Sequence, residues 1–323
     1  MENIHVIVDS MSRQGCNNIA VTLVPVDNNA TLPEWEAGSH IDLHLPNKLI
    51  RQYSLTGNPQ DTGHYQLCIK KEDSSRGGSK YVHEQLRVGQ TIEISAPRQA
   101  FAMQAAENYL LIAAGIGITP ILSMAEALEA KSQPFTLLYY VKNHTFAAML
   151  RRLNMGFQHG TVQILSSDDG QSLRSITPEL LQTPQANTQI YMCGPEGFMA
   201  HFTEVATTHG WLNEQIFTEA FHPPALNKSS ELDADTFIVT LRSSGQSYTV
   251  PADKTIANVL QENDIYVPLS CEMGMCGACL TKVHCGEIDH QDTVQSDEEK
   301  CATEQYIALC CSRAKSATIE IDL

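Results

Sequence analysis

Four cysteines toward the end of the chain constrain its fold and chemistry more than any other feature. Cys271, Cys276 and Cys279 are spaced C-x4-C-x2-C, and Cys310 follows much later. At this spacing one loop wraps an iron of a plant-type [2Fe–2S] cluster while a distant cysteine completes the other iron. Gly274 and Gly277 lie between the first three cysteines, where backbone N–H groups must reach the sulfurs with no Cβ in the way. A four-thiolate zinc site is the competing reading, but zinc favours two short C-x2-4-C knuckles, and only one half of this pattern supplies one. The fourth ligand stays open at this level, because Cys310 and Cys311 are adjacent and Cys301 is near. The scattered Cys16, Cys68, Cys193, Cys285, Cys301 and Cys311 are expected to be thiols, since a cytoplasmic chain is not held by disulfides.

Cytoplasmic placement is itself an expectation. The start, MENIHVIVDS, has no basic stretch leading into an apolar core, and no apolar run approaches the length of a membrane span. A formal charge of −16 makes nucleic acid or an anionic membrane a poor partner.

The 323 residues have room for two or three domains and divide by texture. Residues 1–104 alternate apolar and polar side chains with period two, as in His40-Ile41-Asp42-Leu43-His44-Leu45. Similar short runs near Val6, Val21, Tyr53, Leu67 and Ile92 predict six strands of a small antiparallel β-barrel. From 105 to 221, apolar runs at Tyr109–Ala114, Phe135–Val141, Val162–Leu165 and Gln189–Cys193 alternate with helical spacing. That pattern predicts an α/β doubly wound, mostly parallel sheet. Residues 222–231, with two prolines and no periodicity, read as a linker. Residues 232–323 hold a hairpin (Phe237–Leu241, Gln246–Val250), a short helix near Ile256–Gln261, the cysteine loop and a final strand Ile319-Glu320-Ile321.

Within these segments, three patterns suggest ligand contacts. Arg51-Gln52-Tyr53-Ser54-Leu55 lies on a predicted barrel strand, with Arg51, Tyr53 and Leu55 on one face and Ser54 on the other. Arg76-Gly77-Gly78-Ser79 precedes a short helix, where free backbone N–H groups attract an anion. Gly115-Ile116-Gly117-Ile118-Thr119-Pro120 follows a buried strand and opens a helix, with Thr119 expected as N-cap and Pro120 at the first helical position. Its glycines let a pyrophosphate approach the positive helix end. Asp168-Asp169 follow the third strand, where carboxylates would bond ribose hydroxyls and repel a 2′-phosphate.

Taken together, these motifs resemble the reductase components of Rieske oxygenases, the phthalate dioxygenase reductase and vanillate O-demethylase reductase family. R-x-Y-S matches the flavin motif of the wider ferredoxin–NADP reductase superfamily, and G-x-G-I-T-P matches its nucleotide loop. The resemblance implies that Tyr53 lies along a flavin, that Arg51 binds its polar groups or phosphate, and that Ser54 reaches toward N5. It implies that Arg76–Ser79 hold the flavin phosphate and that Cys193-Gly194-Pro195 border the nicotinamide. Phe221, in Glu219-Ala220-Phe221, would cover the flavin face. The tail Cys310-Cys311-Ser312-Arg313-Ala314 matches the family's, in which the first cysteine is the ligand. The fold it implies has three parts: a flavin β-barrel, an NAD-binding α/β domain and a C-terminal α+β β-grasp ferredoxin domain.

The expected activity is hydride transfer from NADH to flavin (FMN, with FAD possible), then single electrons through [2Fe–2S] to a terminal oxygenase carrying a Rieske centre. Another acceptor, such as a cytochrome P450, is the alternative enzyme reading, and an iron–sulfur redox sensor is the non-enzyme one. Residues 232–323 carry six Lys+Arg against fifteen Asp+Glu, a balance of −9 to which Asp289, Asp292 and Asp297-Glu298-Glu299 contribute. This reads as an acidic face that steers a basic partner.

Overall fold

In the barrel strands, every second side chain turns inward. Val6 and Val8, Val21 and Leu23, Ile41 and Leu43 are each fully buried in one core with Leu55, Leu67 and Ile94. The structure, a computed structural model, describes residues 3–323 except 28, 29, 48, 73, 74, 76, 100, 222–235, 270, 271, 273, 275, 276 and 293. Seven strands form this first sheet: β1 (Ile4–Arg13), β2 (Asn18–Pro25), β3 (Ser39–His44), β4 (Ile50–Thr56), β5 (Tyr65–Lys70), β6 (Thr91–Ile94) and β7 (Arg98–Gln99). Their order is β4-β5-β2-β1-β6-β3-β7, and a further β4–β3 pairing closes the barrel and so removes its open edges. Helix α1 (Gly78–Glu84) follows β5.

The next sheet is buried on both faces, which is why its strands read as continuous apolar runs. β8 (Asn108–Ala114), β9 (Phe135–Val141), β10 (Gly160–Ser166), β11 (Thr188–Cys193) and β12 (Ile216–Glu219) stand in the order β10-β9-β8-β11-β12, all pairings parallel. Along β8, Tyr109, Leu111 and Ala113 enter one core with α2 (Ile118–Ala130). Leu110, Ile112 and Ala114 enter the opposite core, together with Leu181 of α4 (Glu179–Gln182) and Phe202 of α5 (Glu196–Thr208). Helix α3 (Leu150–Asn154) lies between β9 and β10. β12 escaped the sequence reading because Ile216-Phe217-Thr218-Glu219 is too short to show a period.

The barrel and the parallel sheet belong to one compact unit, Met1–Phe221. α2 packs against β4, and the Gly38 amide donates to Ser123 Oγ of α2 at 3.1 Å. A second junction joins the β1–β2 turn to the loop after β9. Cys16 N donates to Thr145 O at 2.6 Å, and Asn18 Nδ2 donates to Phe146 O at 3.4 Å. Gly15 (φ +72°) sits so close that an added Cβ would lie 2.7 Å from Ala147 O and 2.8 Å from Thr145 O.

The other unit, His222–Leu323, has its own core. β13 (Phe237–Leu241), β14 (Ser247–Val250), β15 (Leu280–Cys285), β17 (Gln305–Ala308) and β19 (Thr318–Ile321) form a mixed sheet of order β14-β13-β19-β15-β17. The terminal strand β19 runs parallel to β13, the topology of a β-grasp. β16 (Ile288–Asp289) and β18 (Arg313–Ala314) make a small separate ladder. Helix α6 (Ile256–Glu262) starts at a capping box in which Thr255 Oγ1 accepts from Asn258 N at 3.1 Å, worth about 1 kcal/mol. α7 (Asp297–Lys300) precedes β17. The expected linker, 222–231, lies outside the described residues.

Candidate flavin, nucleotide and iron–sulfur sites

On β4, Arg51 and Tyr53 pair with Leu43 and Ile41 of β3, and Tyr53 packs against the barrel core. Burial pushes the Tyr53 phenol up to about 12, although nearby Arg51 pulls the other way. The ring therefore stays neutral at ordinary pH. Ser54 and Thr56 are buried on the other face, which half-buried Gln52 shares, as the alternation predicts. Around Ser54, three buried atoms have no partner among the described residues: Gln52 Nε2, Thr56 Oγ1 and Nε2 of His40, the register partner of Ser54. Each such atom costs about 1–3 kcal/mol if nothing bonds it. A polar planar ring system fits this face, and a flavin is one.

Gly78 supports Arg51: a Cβ there would lie 2.5 Å from Arg51 Cγ. The Arg51 stem thus crosses the start of α1. Within that start, Ser75 Oγ accepts from Gly77 N at 3.2 Å and from Lys80 N at 3.3 Å, and accepts from Ser79 Oγ at 3.0 Å. Ser75, which the sequence reading did not single out, organises this turn. Arg76 lies outside the described residues.

The nucleotide motifs converge on the C-terminal edge of the parallel sheet, where ligands of such sheets bind. Gly115–Gly117 form a tight turn before α2, and a Cβ on Gly117 would overlap the Cys193 carbonyl. Gly194 likewise touches Ala114, with a Cβ placed 2.7 Å from the alanine's own. The glycine loop and Cys193-Gly194-Pro195 are therefore in van der Waals contact. Thr119 is not the N-cap expected: the tight turn carries the chain into α2 at Ile118, so Thr119 is inside the helix and its hydroxyl donates to Ile116 O at 3.1 Å. Pro120 moves with it to the third helical position.

Cys193 pairs with Glu219 across β11 and β12. Both are buried, and Glu219 Oε2 has no partner among the described residues. Burial lifts the Glu219 carboxyl to about 8. Burial, reinforced by Glu219, pushes the Cys193 thiol well above its ordinary value. Both groups are thus protonated near neutrality. The sequence reading named Glu219 only as a neighbour of Phe221, since an acid's burial is invisible in one sequence. Phe221 is partly buried against the core of the parallel sheet.

Asp168 stands past the end of β10, held by Asn143 Nδ2 at 2.8 Å. Asn143 also accepts from Thr145 N at 3.1 Å. Asp169 lies 4.0 Å from His144 Nε2. In the strand order, β10 is three strands from β11, about 14 Å along the sheet edge. An extended dinucleotide is long enough to span such a distance.

In the second unit, Cys279, Cys310 and Cys311 are buried, and the Cys310 thiol shares hydrogen bonds with Cys279 and Cys311. Leu309 N donates to Cys279 O at 3.3 Å, which brings the two segments together. The Cys311 sulfur is turned toward Ala308 O at 3.9 Å and Ser312 Oγ at 3.8 Å. Gly274 and Gly277 both have φ +74°. Buried adjacent thiols and a glycine-lined loop fit an iron–sulfur cluster. Cys271 and Cys276 lie outside the described residues. Asp292, counted above with the acidic face, is instead buried. Its hydrogen-bond donors draw it inward.

Three family models match successive stretches: the oxidoreductase FAD-binding domain over residues 11–103, the N-terminal domain of the dimethylamine monooxygenase subunit DmmA-like proteins over 91–216, and the 2Fe-2S iron–sulfur cluster binding domain over 239–315. Vanillate O-demethylase oxidoreductase of Pseudomonas sp. (strain HR199 / DSM 7063) is 42% identical over 323 residues, which span 99% of this chain and 100% of that protein. The structure of phthalate dioxygenase reductase matches with a TM-score of 0.73 at 30% identity, covering 99% of this chain and 98% of that one. An intact type IV self-sufficient cytochrome P450 monooxygenase matches with a TM-score of 0.76 at 33% identity, covering 99% of this chain and 41% of that one.

Proposed function

The chain belongs to the family of flavin and [2Fe–2S] reductases that includes vanillate O-demethylase oxidoreductase and phthalate dioxygenase reductase, and we propose that it draws on NADH to feed single electrons to a Rieske-type terminal oxygenase. It is a reductase component of a multicomponent oxygenase or demethylase system, with a flavin and a [2Fe–2S] cluster. When bound, a flavin accepts hydride and releases electrons one at a time, and the cluster passes them on singly.

The observation that carries this reading is the packing of α2, which opens at the glycine loop, against β4, which bears Tyr53 and Ser54. One unit thereby presents a flavin strand and a nucleotide loop to each other. Arg51 anchors the polar end of the flavin, and Tyr53 offers a neutral ring surface. Ser54 bonds near N5, and Phe221 screens the face that nicotinamide must reach. Gly115, Gly117, Thr119 and Pro120 shape the pyrophosphate seat, while Cys193, Gly194 and Pro195 border the nicotinamide. Protonated Glu219 and Cys193 keep that end free of negative charge, and Asp168 holds the adenosine ribose, favouring NADH over NADPH. Gly77, Gly78 and Ser79, with Arg76, seat the phosphate of FMN. Cys271, Cys276, Cys279 and Cys310 hold the cluster.

Among the described residues no helix is long and apolar enough to cross a membrane, and the described cysteines are free thiols. Both observations support a cytoplasmic setting. The match to a P450-fused chain supports a second reading, delivery of electrons to a haem oxygenase. Anaerobic reduction of the purified protein by NADH, followed at flavin and cluster absorbance, tests the first half of the proposal. Cys279→Ser should bleach the cluster yet leave flavin reduction by NADH intact, and loss of both would overturn the modular scheme. Turnover with a purified Rieske oxygenase, set against a P450, tests the second half.

A further inference from the structure

Asp292 is a carboxylate in a position where carboxylates are costly. It is 3% exposed, and among the described acids of its unit it alone is buried. An uncompensated charge there costs several kcal/mol. Four contacts compensate it. Oδ2 accepts from Gln295 N and Gln295 Nε2, each at 3.2 Å. Oδ1 accepts from Ser312 Oγ at 3.2 Å and faces His290 Nδ1 at 3.3 Å. Burial alone would push this carboxyl up, but the hydrogen bonds win and hold it below its ordinary value. An ionised carboxylate only accepts, so His290 Nδ1 carries the hydrogen.

These donors come from two sides of the cysteine cluster. Asp292, Val294 and Gln295 belong to a strap that lies against the cysteine loop: Val294 N donates to Gly274 O at 3.0 Å, and Val294 Cγ2 is 3.3 Å from where a Cβ of Gly277 would stand. Gly274 leaves no space beneath the strap, since a Cβ there would be 2.9 Å from Asp292 Cα and 2.5 Å from Cys311 Sγ. On the other side, Ser312 follows Cys310-Cys311 and bonds both the Asp292 carboxylate and, at 3.1 Å, Gln291 N. Lys300 Nζ fastens the strap from outside by donating to Asp292 O at 2.7 Å. Asp292 thus joins the cysteine loop to the Cys310 turn.

We propose that Asp292 is a positioning residue for the [2Fe–2S] cluster, clamping the chain at Gly274 and Gly277 to the Cys310–Ser312 turn while its fixed negative charge holds the cluster potential low. The proposal rests on the assignment of the cluster to this unit. An electron added to a centre near a buried anion meets repulsion that the protein interior attenuates less than water does. The exposed Glu298 and Glu299 are screened by water and salt and contribute far less. Partly exposed Lys300 is likewise screened, and its ammonium sits on the Asp292 carbonyl rather than on the carboxylate. A lower potential increases the driving force toward the next acceptor.

The test uses the full-length holoprotein and reads iron content and the midpoint potential, the latter by dye-mediated titration followed by electron paramagnetic resonance. Asp292→Asn should keep wild-type iron and shift the midpoint to higher potential, while Glu298→Gln should not move it. Ser312→Ala, which cuts one tie without removing the charge, should release iron to a chelator about tenfold faster than wild type. An Asp292→Asn cluster at the wild-type potential overturns the charge role. If that variant fails to fold, wild-type iron release from Ser312→Ala overturns the clamp. Wild-type protein without iron would instead remove the underlying assignment, and the proposal with it.

Discussion

The stem of Arg51 passes so closely over Gly78 that a methyl group on the glycine would lie 2.5 Å from Arg51 Cγ. Gly78→Ala should therefore displace the guanidinium from the start of α1. A charge-assisted bond lost at a phosphate is worth about 1.5–3 kcal/mol, so flavin should bind about ten- to a hundredfold more weakly. Quenching of flavin fluorescence on titration into stripped protein measures this directly. Chromatography of the flavin released by heat should show FMN. Unchanged affinity in Gly78→Ala would remove Arg51 from the phosphate site.

The buried Glu219 gives the first unit a pH-dependent stability. Its carboxyl moves from 4.5 to about 8 on folding. Because the folded value is the higher, the stability it contributes is complete below 4.5 and is lost as pH rises through about 8. The slope in that window approaches about 1.4 kcal/mol per pH unit. Glu219→Gln should flatten it. Trp35 and Trp211 both lie in this unit, so tryptophan fluorescence during urea unfolding isolates it from the ferredoxin unit. Parallel pH profiles for wild type and variant would mean the carboxyl ionises inside the fold.

Coenzyme choice should depend on a pair of residues rather than one. Asn143 holds Asp168 at 2.8 Å, so removing either side chain should loosen ribose recognition. Asp168→Asn should narrow the preference for NADH over NADPH by relieving repulsion of the 2′-phosphate. Asn143→Ala should raise KM for NADH severalfold with little change in kcat. Steady-state kinetics with ferricyanide reads both, and unaltered ratios would reduce Asp168 to a surface turn.

Coupled turnover with the oxygenase should fall as salt rises, over a range that shortens the Debye length from about 10 Å to about 3 Å. The motive is the −9 balance of residues 232–323, still largely a surface property although Asp292 is withdrawn from it. NADH–ferricyanide activity needs no protein docking and should stay level. Equal salt sensitivity of both activities would rule out steering by this face.

Much of this was legible in one sequence because the informative residues act over short spans. The strands of the parallel sheet read as apolar runs because both faces are covered, and Tyr109–Ala114 shows it by dividing its side chains between two cores. Gly117 was singled out for the approach of a pyrophosphate; the close approach the fold displays is another one, against the Cys193 carbonyl, and that partner was not predictable. What stayed hidden depends on long-range packing. Asp292 and Glu219 look like any other acids until the fold buries them. β12 is a strand because β11 pairs with it, and Thr119 loses the N-cap because a tight turn starts the helix early.

The β1–β2 turn bears on how the first unit works. Gly15 and Cys16 are fastened to Thr145 and Ala147 by main-chain atoms, and Gly38 is fastened to Ser123 elsewhere on the same boundary. Two separate attachments remove the freedom to swing about either one. A jaw-like parting of barrel and sheet, a motion of the microsecond-to-millisecond scale, would have to break both at once. Barrel and sheet are thereby held as one piece, and β4 and the glycine loop keep their places relative to each other.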